Sequence, residues 1–272
     1  MDKTIAFFGA GNLAEAIIAG ITRTNVVTKE QVLVANRSDK ARLDLIAEKY
    51  GVTCKRSKEE MVQEADIIIL AMKPKDAGDY LNWLKDYIKP HHIVISVIAG
   101  LSIEQMEKTL GEDIPVIRTM PNTSALIGQS ATAISKGSNV ELSQLYLAEE
   151  LFQTVGTTKI VDEGHMHTIT AIAGSGPAFF YYMVEAMENA AVEAGLDRDT
   201  ALELLTQTVI GAGKMLESSG EDPEQLRINI TSPSGTTEAG LNQLMENGFD
   251  KVIKACVEGA RKRSVEITNA QK

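Results

Sequence analysis

Through the first part of the chain, hydrophobic positions come in short and nearly unbroken runs. Ile5-Ala6-Phe7-Phe8, Val32-Leu33-Val34-Ala35, Ile67-Ile68-Ile69-Leu70, Ile93-Val94-Ile95-Ser96 and Val116-Ile117-Arg118 each read as a strand. Such continuity is what strands covered by helices on both faces require. Between the runs the apolar period lengthens to that of helices, with capping-box starts at Ser57-Lys58-Glu59-Glu60 and Ser102-Ile103-Glu104-Gln105. Strict alternation of strand and helix predicts right-handed βαβ units and a mostly parallel Rossmann-type sheet over residues 1–162. From Glu163 to Lys272 only helical stretches remain, so the fold class is α/β followed by an all-α domain, residues 163–272. Pro177 marks a helix start, Asp222-Pro223 a cap with Pro at the first helical position, and Gly195 and Gly220 helix stops. Phe179 to Val184 is six apolar or aromatic residues in a row, a surface too broad for a small domain to cover. It is expected to pack on another subunit, the alternative being two helices that cover one another inside the monomer.

The first strand leads into Gly9-Ala10-Gly11-Asn12-Leu13-Ala14, a G-x-G-x-x-A turn opening a helix. In that setting Gly9 permits the tight turn, Gly11 lets the backbone approach a pyrophosphate, and Ala14 allows close helix–strand packing. The second strand ends Ala35-Asn36-Arg37-Ser38, with no carboxylate at its tip and Asp39 one step later. NADH sites usually carry an acid there, whereas Arg37 and Ser38 offer donors to a 2′-phosphate. NADPH is therefore the expected cofactor, with NADH the weaker alternative. Two more strand ends should line the crevice: Ala71-Met72-Lys73-Pro74, counted after a fourth strand, and Val97-Ile98-Ala99-Gly100, after a fifth.

Composition narrows the picture. At 272 residues the chain suits two domains, and a net charge of −10 disfavours nucleic acid and anionic membrane as partners. Residues Met1 to Gly11 carry no basic leader, the apolar runs are too short to span a bilayer, and Cys54 and Cys256 stand far apart. The expected compartment is the cytoplasm, with the thiols reduced and structural. His165 and His167 are two residues apart and cannot form a helical metal pair, and His91-His92 reads as a surface turn, so no metal site is expected. Gly174-Ser175-Gly176 fails the nucleophile-elbow spacing and reads as a flexible junction ended by Pro177. No tyrosine has Lys four residues on, and no lysine occurs between Lys159 and Lys214, which excludes two familiar carbonyl-reductase acids. A reductase without a strong acid suits a C=N substrate that carries its own proton. Asn229 to Thr237 (Asn-Ile-Thr-Ser-Pro-Ser-Gly-Thr-Thr) brings hydroxyls and backbone amides to a helix start, a place for a carboxylate.

The segment Gln225 to Leu244 resembles the signature of the pyrroline-5-carboxylate reductase family, and the likeness extends over the whole chain. It includes Gly9 to Ala14, Asn36-Arg37-Ser38, Ala71 to Pro74, Ala99-Gly100, Met120-Pro121-Asn122-Thr123 and Gly174 to Ala178. The resemblance implies an NADPH-dependent reductase that makes L-proline, dimeric through its helical domain, with rings of dimers common and each site completed across the dimer. It also implies that Ser232 to Thr237, including Gly235, wraps the substrate carboxylate, with Thr237 at the ring nitrogen. Thr236 and Glu163 match substrate-contacting positions, and Asn229 one near the nicotinamide. Two departures stand out: Ser234 replaces a glycine of the usual Ser-Pro-Gly-Gly, and Ile228 an acid. Rival readings are a reductase of another cyclic imine or oxo acid, a non-catalytic NADPH-binding module, and a helical dimer with a vestigial nucleotide fold.

Overall fold

The computed structural model describes residues 1–54 and 57–270. In chain order the first elements are β1 (Ile5–Phe8), α1 (Asn12–Thr24), β2 (Val32–Ala35), α2 (Lys40–Tyr50), α3 (Lys58–Glu64) and β3 (Ile67–Leu70). They are followed by α4 (Ala77–Leu84), β4 (Ile93–Ser96), α5 (Ile103–Leu110), β5 (Val116–Met120), β6 (Ser130–Lys136), α6 (Leu142–Gln153) and β7 (Gly156–Ile160). Among the described residues the strands form one seven-stranded sheet in the order β2-β1-β3-β4-β5-β6-β7. Neighbours pair in parallel except β5 with β6. The chain leaves β1 to one side for β2 and returns to the other side for β3, which opens a crevice at the carboxyl ends of β1 and β3.

Both faces of the sheet are covered, as the unbroken apolar runs predicted. Ile5, Phe7, Ile67 and Ile69 pack with Ile17 and Ile21 of α1, Ile46 of α2, and Leu151 and Phe152 of α6. Ala6, Phe8, Ile68 and Leu70 pack with Met61 of α3, Leu81 and Leu84 of α4, and Met106 of α5. Each fully buried aliphatic side chain contributes roughly 1.5–3 kcal/mol by leaving water.

Several expectations need correction. The sheet has two strands that the hydrophobic runs did not announce, β6 (Ser-Ala-Thr-Ala-Ile-Ser-Lys) and β7 (Gly-Thr-Thr-Lys-Ile). Their residues are small or polar, and β7 is an edge strand with exposed positions. The runs at Ile67 and Ile93 are the third and fourth strands rather than the fourth and fifth, because the described residues between α2 and α3 pair with the sheet only through an isolated bridge, Leu33 to Thr53. The Ser102 start is a full capping box with Gln105. At Ser57 only half of the box forms: the hydroxyl accepts from Glu60 N–H, and it donates to Glu59. His92 is no surface residue: it is 1% exposed, with Nδ1 accepting from Lys89 N–H and Nε2 3.0 Å from Val62 O.

Beyond β7 every described element is helical: α7 (Met166–Ile169), α8 (Gly176–Glu193), α9 (Arg198–Ser218), α10 (Pro223–Asn229), α11 (Thr236–Glu246) and α12 (Phe249–Asn269). Asp222 caps α10 ahead of Pro223, and Gly195 and Gly220 take φ of 97° and 74° just past helix ends. Gly174-Ser175-Gly176 does join two helical segments, but Pro177 does not end the junction. Thr170–Gly174 forms a π turn, and α8 begins at Gly176 with Pro177 inside its first turn. The carbonyl of Ala173 in that turn accepts from Asn122 Nδ2 at 3.0 Å.

The chain divides into two compact units, Met1–Pro177 with Glu258–Lys272, and Ala178–Val257. The second has almost no interior: Ala201 is its one buried hydrophobic residue among those described, while Phe180, Tyr181 and Tyr182 are 60%, 67% and 73% exposed.

Candidate functional site

At the tip of β1, Gly9 takes φ +121°, and a Cβ there would lie 2.3 Å from Ala71 O. No other residue fits so close to β3. Gly9 N–H donates to Ala35 O at 2.9 Å, which ties the turn to β2. Gly11 caps α1 without a side-chain bond, and a Cβ on it would meet nothing within 4 Å. The first-turn amides of α1 thus begin beside open space, as a phosphate cradle must.

Beneath this loop lies a carboxylate that the sequence did not flag. Glu15, 7% exposed in the first turn of α1, accepts from Lys49 Nζ and Tyr50 Oη at 2.8 Å and from the Arg42 guanidinium. Its pKa is lowered to about 2, chiefly by the Lys49 hydrogen bond, against the opposing effect of burial. Arg42 Nε also donates to Ala10 O at 2.8 Å, so one guanidinium props the glycine loop and helps neutralise the acid below it.

A cavity of about 710 Å³ opens at these strand ends. It gathers Gly9, Ala10, Gly11, Asn36, Arg37, Ser38, Ala71, Met72 and Lys73 of the expected cofactor residues. Asn12, Leu13, Pro74, Ala99 and Gly100 are not among its walls. Pro74 opens a 3₁₀ turn to Asp76, and Gly100 follows β4 with φ 84°. Arg37 is 77% exposed, and its Nη1 donates to Asp76 at 2.8 Å. That acid comes from the loop after β3, 39 positions beyond Arg37 in the chain. Asp39 serves as the cap of α2, accepting from Arg42 N–H. Lys58, Tyr80 and Trp83 also line the cavity.

Glu163 lies in the same compact unit, in a 3₁₀ turn that follows β7. Its Oε1 accepts from Arg118 Nη1 and from Ile103 N–H, both at 2.8 Å. The second bond satisfies an orphan amide at the start of α5. Arg118 on β5 is 1% exposed, and its Nε and Nη2 have no partner among the described residues. His167 Nδ1 lies 3.0 Å from Ser264 Oγ on α12. Burial, and then the charge of Arg118, pulls the imidazole pKa below its usual value. The sequence showed Arg118 only as part of a strand, since nothing local marks a mid-strand arginine as buried.

Asn229, Ser232, Gly235, Thr236 and Thr237 belong to the other unit. Asn229 ends α10 and accepts from Gln225 Nε2 at 2.7 Å. Ser234 takes φ +60°, the left-handed conformation that glycine adopts without strain. Its amide donates to Glu238 Oε2 at 2.8 Å, and Gly235 N–H donates to Ser232 O at 3.0 Å. Among the described residues the amides of Thr236, Thr237 and Glu238 have no acceptor. The start of α11 is a set of unpaired donors, chemically suited to a carboxylate.

A family model described as pyrroline-5-carboxylate reductase dimerisation matches residues 163–267, and one described as NADP oxidoreductase, coenzyme F420-dependent, matches residues 4–100. Pyrroline-5-carboxylate reductase 2 of Bacillus subtilis (strain 168) is 47% identical over 97% of this chain and 95% of its own length. The reductase of Glycine max is 36% identical over 97% and 96%. Among solved structures, a pyrroline carboxylate reductase of Plasmodium falciparum with NADP bound superposes with a TM-score of 0.89 at 31% identity, covering 98% of both chains. A pyrroline-5-carboxylate reductase of Coxiella burnetii gives 0.91 at 32%, covering 98% and 99%.

Proposed function

Since the chain belongs to the pyrroline-5-carboxylate reductase family, we propose that it reduces 1-pyrroline-5-carboxylate to L-proline with NADPH, the last step of proline biosynthesis. The observation that carries this reading is that the kinship runs the length of the chain, from the glycine loop to the Thr237 signature.

NADPH, when bound, supplies a hydride to the carbon of the ring C=N bond, with NADH the weaker donor. Gly9 shapes the turn, and the amides from Ala10 and Gly11 to Asn12 and Leu13 hold the pyrophosphate; the open space at Gly11 fits that group. Asn36, Arg37 and Ser38 take the 2′-phosphate. Ala71, Met72, Lys73, Pro74, Ala99 and Gly100 flank the remainder, and Asn229 is assigned to the nicotinamide end. At the start of α11 the backbone of Ser232, Gly235 and Thr236 grips the substrate carboxylate, and the Thr237 hydroxyl bonds the ring nitrogen. Glu163, with Oε1 committed to Arg118 and Ile103, offers Oε2 to the substrate. A hydroxyl is too weak an acid to protonate a free imine, so the chain is suited to bind the protonated iminium, which becomes a neutral amine on reduction. Orientation of this kind lowers a barrier by up to roughly 7–11 kcal/mol.

The dimerisation match covers the helical region whose apolar side chains lie exposed, so the enzyme works as a homodimer joined there. Rings of dimers are the further proposal. No helix among the described residues is long and apolar enough to cross a membrane, and we place the enzyme in the cytoplasm. Turnover with pyrroline-5-carboxylate, NADPH against NADH, tests the function at fixed enzyme concentration. Proline should form, with the higher kcat/KM for NADPH. Reduction of a six-membered cyclic imine but not of this substrate would replace the reading.

A further inference from the structure

Resting on NADPH as the cofactor, we propose that Lys58 also reads the 2′-phosphate, and that it sets the preference over NADH together with Arg37. Lys58 opens α3 and lines the same cavity as Arg37 and Ser38. Its ammonium stands 5.7 Å from the ring centroid of Tyr80 and 5.6 Å from that of Trp83, two rings of that cavity's wall. Ring quadrupoles hold a cation in place without cancelling its charge. A carboxylate would cancel it, but among the described residues Lys58 forms no ion pair. Its neighbour Glu59 accepts from the Ser57 hydroxyl at 2.8 Å and feels the Lys58 charge through space without pairing with it directly.

The other cations of the wall are differently placed. Arg37 is paired with Asp76, and Arg42 is spent on Glu15 and Ala10. Asp39 and Asp79 line the cavity as well, so a phosphate dianion there meets several acids and an arginine already neutralised in part. Lys73 and Lys75 are exposed and stand over no ring among the described residues, whereas Lys58 is half-buried and pre-positioned. A fixed ammonium loses less side-chain freedom on meeting an anion than a solvated one does.

Binding of 2′,5′-ADP and of 5′-AMP to the full chain without cofactor separates the phosphate from the rest of the nucleotide. Trp83, the only tryptophan, reports the titration by fluorescence, and calorimetry checks it where a variant alters the indole's surroundings. Lys58→Met, which keeps the apolar stem, should weaken 2′,5′-ADP about 10-fold and 5′-AMP less than about 2-fold, while Lys58→Arg stays near wild type. A thermal melt verifies that each variant is folded. An equal loss for both nucleotides would reduce Lys58 to a prop for the aromatic wall, and unchanged 2′,5′-ADP affinity would remove it from recognition. Either result overturns the proposal. A wild type that fails to prefer 2′,5′-ADP over 5′-AMP sinks the NADPH assignment itself, and Lys58 with it.

Discussion

Thr237 is the residue on which the proposed chemistry concentrates, because the first turn of α11 presents its hydroxyl next to amides that have no acceptor of their own. Thr237→Ala removes one hydrogen bond to the reacting ring and nothing from the nucleotide cavity. Its kcat/KM should fall about 100-fold, the usual loss for one oriented hydrogen bond at a reacting centre, with NADPH affinity near normal; unchanged kcat/KM would take Thr237 out of the mechanism. At this scale the sequence was legible where a residue's task is local. Gly9 and Gly11 announce a turn by their spacing, and Arg37 stands at a strand tip. Ser234 is a departure visible in the sequence, and its φ of +60° shows that the loop keeps the left-handed turn with a side chain in it. Asp76, Arg42, Glu15 and Arg118 were not legible, because each acts on a group far away in sequence. Asp76 meets Arg37 from 39 positions on, and Arg118 meets Glu163 from 45 positions away.

The start of α1 has to stay positive for an anion although Glu15 sits in its first turn. Lys49, Tyr50 and Arg42 accomplish this by holding the carboxylate ionised and shielded. A pKa depressed to about 2 means that the folded state binds the proton less readily than the unfolded chain. The associated stability, roughly 3 kcal/mol for a shift of this size, is present above the ordinary carboxylate range. It is lost as pH falls through that range toward about 2. Glu15→Gln should therefore lower the urea midpoint near neutrality and flatten its decline in acid; parallel acid limbs in wild type and variant would show that other carboxylates govern it. Strands β1 to β4 were readable because they are buried on both faces and therefore almost continuously apolar, and β5 because it starts Val116-Ile117. β6 and β7 were not, since small and hydroxylated residues such as Ser130, Thr132 and Ser135 can be buried in a strand without a hydrophobic signature.

For the whole molecule, the contrast between a sheet unit with a double core and a helical unit nearly without one decides the state of assembly. Phe180, Tyr181 and Tyr182 on α8 belong to a run that the sequence already marked as too apolar for one chain to cover. If the exposed face of α8 is the subunit contact, Tyr182→Asp would place a charge in it, which costs several kcal/mol unless it is paired. Light scattering on the eluting protein should then show 29.4 kDa in place of a multiple of twice that mass. An undisturbed mass would put the contact on another helix face. The legible part here was the surplus of apolar surface; which helices share it between copies depends on pairings that no single-chain pattern encodes.

The thin interior of residues 178–257 also makes chain abundance a thermodynamic variable. When folding draws its apolar burial from a second copy, mass action governs survival, and dilution loosens the molecule much as a mild denaturant would. Scarcity in the cell would then lower the working fraction of each chain as well as the number of chains.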